Sequence, residues 1–304
     1  MRTELRSIAV MGLLVVVTNL LALGFAPTLI AAGAYAFPDP GSVANVPVYI
    51  ALVLAFTGVI LLLFRFARRN AVKWIILGSI FLTLFVVLTI ALFLALWPID
   101  DALLRGNIAT IGAVALSAVW VVALDRYPEW DTVDAAGLAL AVGVTAILGI
   151  SLTILNAFLL LIALAVYDAW AVYRTKHMVE LADVVTGERL PVLLVIPKHR
   201  GYSYADQRPL REQIARGEER EAMFMGLGDL IIPGVLVVSA FAYAGSLAVA
   251  LGTLAGILVG FMVLMRLVMS GRPQAGLPFL NTGAILGYIV SYVVVFRDLG
   301  FLLI

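Results

Sequence analysis

The stretch GLALAVGVTAILGISLTILNAFLLLIALAVYDAWAVYR, residues 137–174, decides how this chain folds. From Gly137 to Val166 it is almost uniformly apolar, and it is too long for one membrane crossing of about 20 residues. Ser151, Thr153 and Asn156 interrupt it, so a tight turn is expected there, with a crossing on either side. The same criterion, carried along the chain, predicts nine spans: 7–30, 47–66, 73–97, 107–124, 133–150, 153–173, 223–243, 245–268 and 277–296. Spans seven and eight are expected to meet at Ala244-Gly245.

Composition agrees. The chain of 304 residues is 63% hydrophobic and only 13% charged, with a mean hydropathy of +1.09. Soluble domains carry roughly 45–50% apolar and about 25% charged residues. An all-α polytopic membrane protein in a lipid bilayer is therefore expected. Cysteine is absent, which excludes disulfides and thiolate metal sites. No basic tract suggests nucleic acid. The N-terminal run MRTELRSIAVMGLLVVVTNLLALGF begins like a signal peptide, but it is long and lacks a clear cleavage site, so it is read as the first span.

The loops set the orientation. Of the 20 Lys and Arg residues, all but Arg105 and Arg297 fall on one side of the nine-span layout. By the positive-inside rule that side is cytoplasmic, which puts the N-terminus inside and the C-terminus outside. A multi-pass protein of the cell membrane is the expectation. One long polar loop, about 174–221, holds eight acids and nine bases and separates six spans from three. This divides the chain into residues 1–173, a loop 174–221, and residues 222–304. Within the loop, ERLPVLLVIP reads as a short β-strand bounded by prolines. Glu212 and Arg216, at i,i+4 spacing, suggest a helical lead into span seven.

Two acids lie inside apolar runs: Asp168, in LLLIALAVYDAWAVYR, and Asp229, in MFMGLGDLIIPG. An ionisable side chain in a span costs several kcal/mol, and marks a functional site by default. Asp168 precedes Arg174 by six residues, and Asp229 follows Glu221 by eight. On consecutive antiparallel helices both should lie roughly 9–12 Å below one surface, so they can face each other. Two carboxylates sharing a site can hold one proton between them, activate a water and protonate a carbonyl oxygen. Such a pair titrates as a unit, so neither residue is assigned a fixed role. Intramembrane acids equally serve a cation leak or a proton-coupled carrier, or are satisfied structurally by neighbouring groups. A zinc or Ser–His protease site is unsupported: HExxH is absent, and His177 and His199 both lie in the long loop.

The residues beside the acids carry weaker signals. Gly226 and Gly228 flank Leu227 just before Asp229; they weaken the helix start and let a backbone approach, or simply pack. Pro233 follows and removes an amide donor. Tyr167 offers a hydroxyl to the pair, or packs on a neighbour. Ala275, Gly276, Leu277 and Pro278 form a small-residue start to span nine, where Pro is ordinary.

Taken together, Tyr167-Asp168 on span six and Gly226-Leu227-Gly228-Asp229 on span seven resemble the presenilin and signal peptide peptidase family of intramembrane aspartyl proteases. The nine-span, six-plus-three layout extends the resemblance over essentially the whole chain. It implies that Asp168 and Asp229 are a catalytic dyad acting on transmembrane-helix substrates, with no cofactor and no metal. The family's Pro-Ala-Leu motif is matched by Ala275-Gly276-Leu277-Pro278, with Ala275 in place of the first proline. In the family this segment lies beside the dyad and holds an unwound substrate strand. Compact loops suggest a microbial, archaeal homologue that needs no accessory subunits. The resemblance favours protease over carrier.

Overall fold

A computed structural model describes residues 2–66, 69–175, 193–199, 201–204, 222–269, 274–298 and 300. Nine α-helices and one two-stranded sheet occur among them. The helices are α1 (Arg2–Ala31), α2 (Asn45–Phe66), α3 (Arg69–Ala95), α4 (Ala102–Arg126), α5 (Trp130–Ser151), α6 (Ile154–Trp170), α7 (Leu227–Tyr243), α8 (Leu247–Val268) and α9 (Leu277–Phe296). A π-helical turn, Ala171–Thr175, extends α6. Seven helices are long and apolar enough to cross a membrane; α7 and the Asn45–Phe56 part of α2 are shorter apolar runs.

The long apolar stretch does turn at its polar residues. Leu152 is extended between α5 and α6. Ser151 Oγ accepts the Ala36 N–H at 2.7 Å. Asn156 Nδ2 donates to the carbonyls of Pro40 and Ser42 at 2.9 and 3.0 Å. From α7, Ser239 donates to Leu152 O at 2.8 Å, and Tyr243 donates to Ile150 O at 2.5 Å. The backbone groups freed by the break thus find partners, as burial in an apolar medium requires. The α7–α8 turn falls at Gly245, whose φ of 63° suits glycine.

Two expectations for the start of span seven are corrected. Residues Ala222–Gly226 form strand β2, and the helix begins only at Leu227. Strand β1 (Leu193–Pro197) pairs with it antiparallel, Leu193 opposite Gly226 and Pro197 opposite Ala222. The strand expected in ERLPVLLVIP is present over its last five residues, but the helical lead does not run unbroken into α7. Glu212 and Arg216 themselves lie outside the described residues. A short apolar run such as AMFMG is ambiguous between strand and helix, and a partner strand settles it. The depth of Asp229 changes with it, because a strand rises about 3.4 Å per residue against 1.5 Å in a helix.

At 17 residues, α7 is about 25 Å long, less than a bilayer core of about 30 Å. It is also the most enclosed helix, buried from Leu230 through Ala240 except at Ile231 and packed against α1, α5, α6, α8 and α9. Glycines let α8 and α9 meet backbone to backbone: a Cβ on Gly256 would run into Gly283 O, and one on Gly260 into Phe279 O. Their spacing of four places them on one face, as in membrane helix pairs that pack on small residues. Exposed Trp74, Tyr127, Trp130, Trp170 and Tyr173 ring the end that carries the sheet, and Trp97 and Tyr35 mark the other. Aromatic residues settle in this way at membrane–water boundaries.

Candidate active site

Three chain segments converge at the sheet-bearing end: the last turn of α6, the first turn of α7 and the first turn of α9. Asp168 is the third-last residue of α6 and is half-buried. The N-terminus of α9 leaves backbone amides without helical partners. One of them, Leu277 N–H, donates to Asp168 Oδ2 at 3.1 Å. A carboxylate on one helix therefore caps another, and the positive end of the α9 dipole favours it there.

Asp229 is the third residue of α7, reached directly from β2 through Gly226, which is extended (φ −65°, ψ 139°). Its carboxylate meets the same segment of α9. A Cβ built on Gly276 would stand 2.8 Å from Asp229 Oδ1 and 2.9 Å from Oδ2, closer than real Cβ atoms come. The two acids thus contact adjacent residues, Gly276 and Leu277. Spacing along the sequence suggested that they could face each other; both carboxylates reach the start of α9.

No neighbour crowds the two glycines before Asp229. The Cβ position of Gly228 is open, and that of Gly226 meets only the Asp229 carboxylate at an ordinary 3.6 Å. The close approach occurs at Gly276 instead. Leu227 is a buried anchor, its Cδ2 lying 3.2 Å from where a Gly137 Cβ would be. Ala275 is fully buried, and Pro278 sits at the start of α9. Tyr167 is exposed at 54%, and its hydroxyl makes no hydrogen bond among the described residues. Tyr173, on the π-helical turn, does bond this segment, donating to Gln274 Oε1 at 3.0 Å. Deeper, Asn281 Nδ2 donates to Leu161 O at 2.8 Å and is 1% exposed. Three polar ties thus join α6 and its extension to α9, with Asp168 in the middle. Neither outer tie was legible in the sequence, where Tyr173 and Asn281 are an interfacial aromatic and an isolated amide. Among the described residues no group of three His, Asp or Glu side chains could hold a metal ion.

Two further acids act at a distance from this centre. Asp134 Oδ1, on the second turn of α5, accepts the Val195 N–H of β1 at 2.7 Å. Glu129 accepts from Ser203 Oγ and from the Tyr204 N–H, both at 3.0 Å. From the sequence both are ordinary helix-end acids.

A sequence model of the family described as signal-peptide peptidase, presenilin aspartyl protease matches residues 11–297. No curated protein sequence matches the chain. Two solved structures of a presenilin family intramembrane aspartate protease share the fold. The one in space group C222 is 34% identical, covers 94% of this chain and 99% of its own, and superposes with a TM-score of 0.68. The one in space group P2 is 37% identical, covers 93% and 96% respectively, and has a TM-score of 0.66.

Proposed function

The chain belongs to the signal-peptide peptidase and presenilin family of aspartyl proteases, and from that premise we propose that Asp168 and Asp229 are the pair with which it cleaves peptide bonds. The family is one of intramembrane proteases, so the substrates are transmembrane helices in a bilayer. The observation that carries the residue assignment is the meeting of both carboxylates on Gly276-Leu277. One carboxylate of the pair takes a proton from water as its oxygen bonds to the amide carbon. The partner donates a proton to the carbonyl oxygen. A proton then passes to the nitrogen as the C–N bond breaks, leaving a carboxyl and an amine terminus. Nothing favours the carrier reading of the same acids.

A helical substrate hides its amides in internal hydrogen bonds and must unwind to be cut. Strand addition suits the extended stretch, and among the described residues the edge left for it is on β2. Pro197 has no N–H, and Val195 directs its N–H away from β2 toward Asp134. Val195 and Phe224 are therefore a non-hydrogen-bonded pair, so Phe224 also turns its N–H and C=O away from β1. Ala222 and Gly226 share that direction. A strand added there runs directly alongside the approach to Asp229.

In this reading residues 1–173 supply Asp168, residues 222–304 supply Asp229 and the α9 segment, and the 174–221 loop supplies the sheet. Gly226, Leu227, Gly228 and Ala275 through Pro278 shape the substrate channel, with Tyr167 at its exposed rim. The skew of basic residues supports a cytoplasmic N-terminus in the cell membrane. No accessory subunit is required. The test is the purified chain in lipid vesicles with a single-span substrate. Fragments that vanish in both Asp168→Asn and Asp229→Asn are expected. Ion flux without any fragment would overturn the reading.

A further inference from the structure

A sheet of two strands has two outer edges, and either could accept a third strand. Here they are treated differently. The outer edge of β1 faces α5, and the N–H at its centre, Val195, is taken by Asp134 Oδ1 at 2.7 Å. Just beyond β1 the chain is held again, by Glu129 Oε1 on Ser203 and Oε2 on the Tyr204 N–H. Glu129 is the N-cap residue of α5, yet its side chain does not cap its own helix. Of the three carboxylates at this helix start, Glu129 and Asp134 are turned toward the loop, while Asp131 accepts from the Thr132 N–H. The surroundings are apolar: Val195 and Leu194 are fully buried, and Val133 and Ala136 flank Asp134 in a core cluster that also contains Tyr202 and Tyr204.

We propose that Asp134 is a positioning residue for proteolysis, with Glu129 as its second anchor: together they close the β1 edge and fix the register of the sheet, so that a substrate strand adds only at β2 and in one alignment with the two catalytic acids. This rests on the strand-addition reading above. The physical need is clear from the small size of the sheet. Its β1–β2 pair is only five residues long on each strand, and two-stranded pairs are marginal alone. Strand alignment has a period of two, so a slip by two residues keeps every side chain on its own face and is the error such a sheet makes most readily. A carboxylate fixed on α5 and bonded to one backbone N–H resists that slip. It also denies a substrate the wrong edge.

The experiment uses the full chain in lipid vesicles with a single-span substrate, fragment masses giving the cut position. Asp134→Ala should raise KM by about tenfold, the worth of one charge-assisted hydrogen bond, with kcat little changed. It should also add cuts displaced by about two residues. Asp134→Asn keeps an acceptor oxygen and should restore the single cut position. Glu129→Ala should move the same readouts less. If Asp134→Ala does not fold, Asp134→Ser, too short to reach Val195, replaces it. A folded variant with unchanged KM and unchanged cut position would overturn the proposal. Phe224→Pro separates this from the underlying reading, since it removes the outward N–H of β2 and no hydrogen bond to β1; Phe224→Ala controls for the lost side chain. If the two Phe224 variants cleave alike, strand addition fails and the proposal with it. If Phe224→Pro alone is slow while Asp134→Ala cuts normally, only the clamp fails.

Discussion

Asp168 closes one helix and Asp229 opens another, and the two carboxylates are held by opposite means. Asp168 has a donor: the Leu277 N–H orients it through a hydrogen bond of 3.1 Å. Asp229 has no such donor among the described residues and is placed by shape, its oxygens lying where a side chain on Gly276 would begin. The surrounding architecture differs in the same sense. The end of α6 is partly exposed and continues as a π-helical turn, a form common at functional sites. The start of α7 follows a strand and leads into the most enclosed helix of the fold. Hydrogen bonding tolerates small movements of the helix, whereas contact with a glycine tolerates no added atom. Both acids are thereby referred to one short segment, and a shift of α9 disturbs both.

The comparison can be broken at four points. The largest effect is expected from removing either acid: Asp168→Asn and Asp229→Asn should each lower kcat by about 10³-fold or more, measured by fragment release. Next is Gly276→Ala. Its Cβ would meet the end of a side chain that can swing aside, so melting temperature should hold while kcat drops about tenfold as Asp229 is displaced. Retained kcat would mean that contact at Gly276 does not set the Asp229 position. Asn281→Leu should cost about 1–2 kcal/mol of stability by removing a buried hydrogen bond, a loss read from thermal unfolding in detergent. It should lower activity as well, since α9 carries the partner of Asp168. Tyr173→Phe should change least, below about twofold in kcat/KM, because an exposed hydrogen bond exchanges readily with water. A larger fall there would show that the π-helical turn takes part in holding the segment.

Much of this molecule is legible from the chain itself. The nine helices of the described residues and the break near Ser151 follow from the lengths of apolar runs, with small shifts at the helix ends. The two acids stand out because a carboxylate in an apolar run is costly enough to need a reason. The reading fails where the cost is hidden. Met223–Met225 are apolar whether helical or extended, so nothing local reveals that they pair with Leu194–Ile196. Asp134 and Glu129 lie at a helix end, where acids are ordinary, and their bonds run to residues 61 to 75 positions away. Asn281 is one amide in a span, and its partner is a backbone carbonyl 120 positions distant.

The sequence by itself determined that this is a polytopic membrane protein with two acids in its apolar runs, because hydropathy and charge cost act locally, residue by residue along the chain. Only the tertiary structure decided that the acids meet at Gly276-Leu277, that β2 rather than a helix precedes Asp229, and that Asp134 seals the far edge of β1. Those outcomes depend on which distant backbone groups come within hydrogen-bond reach and which Cβ positions are already filled.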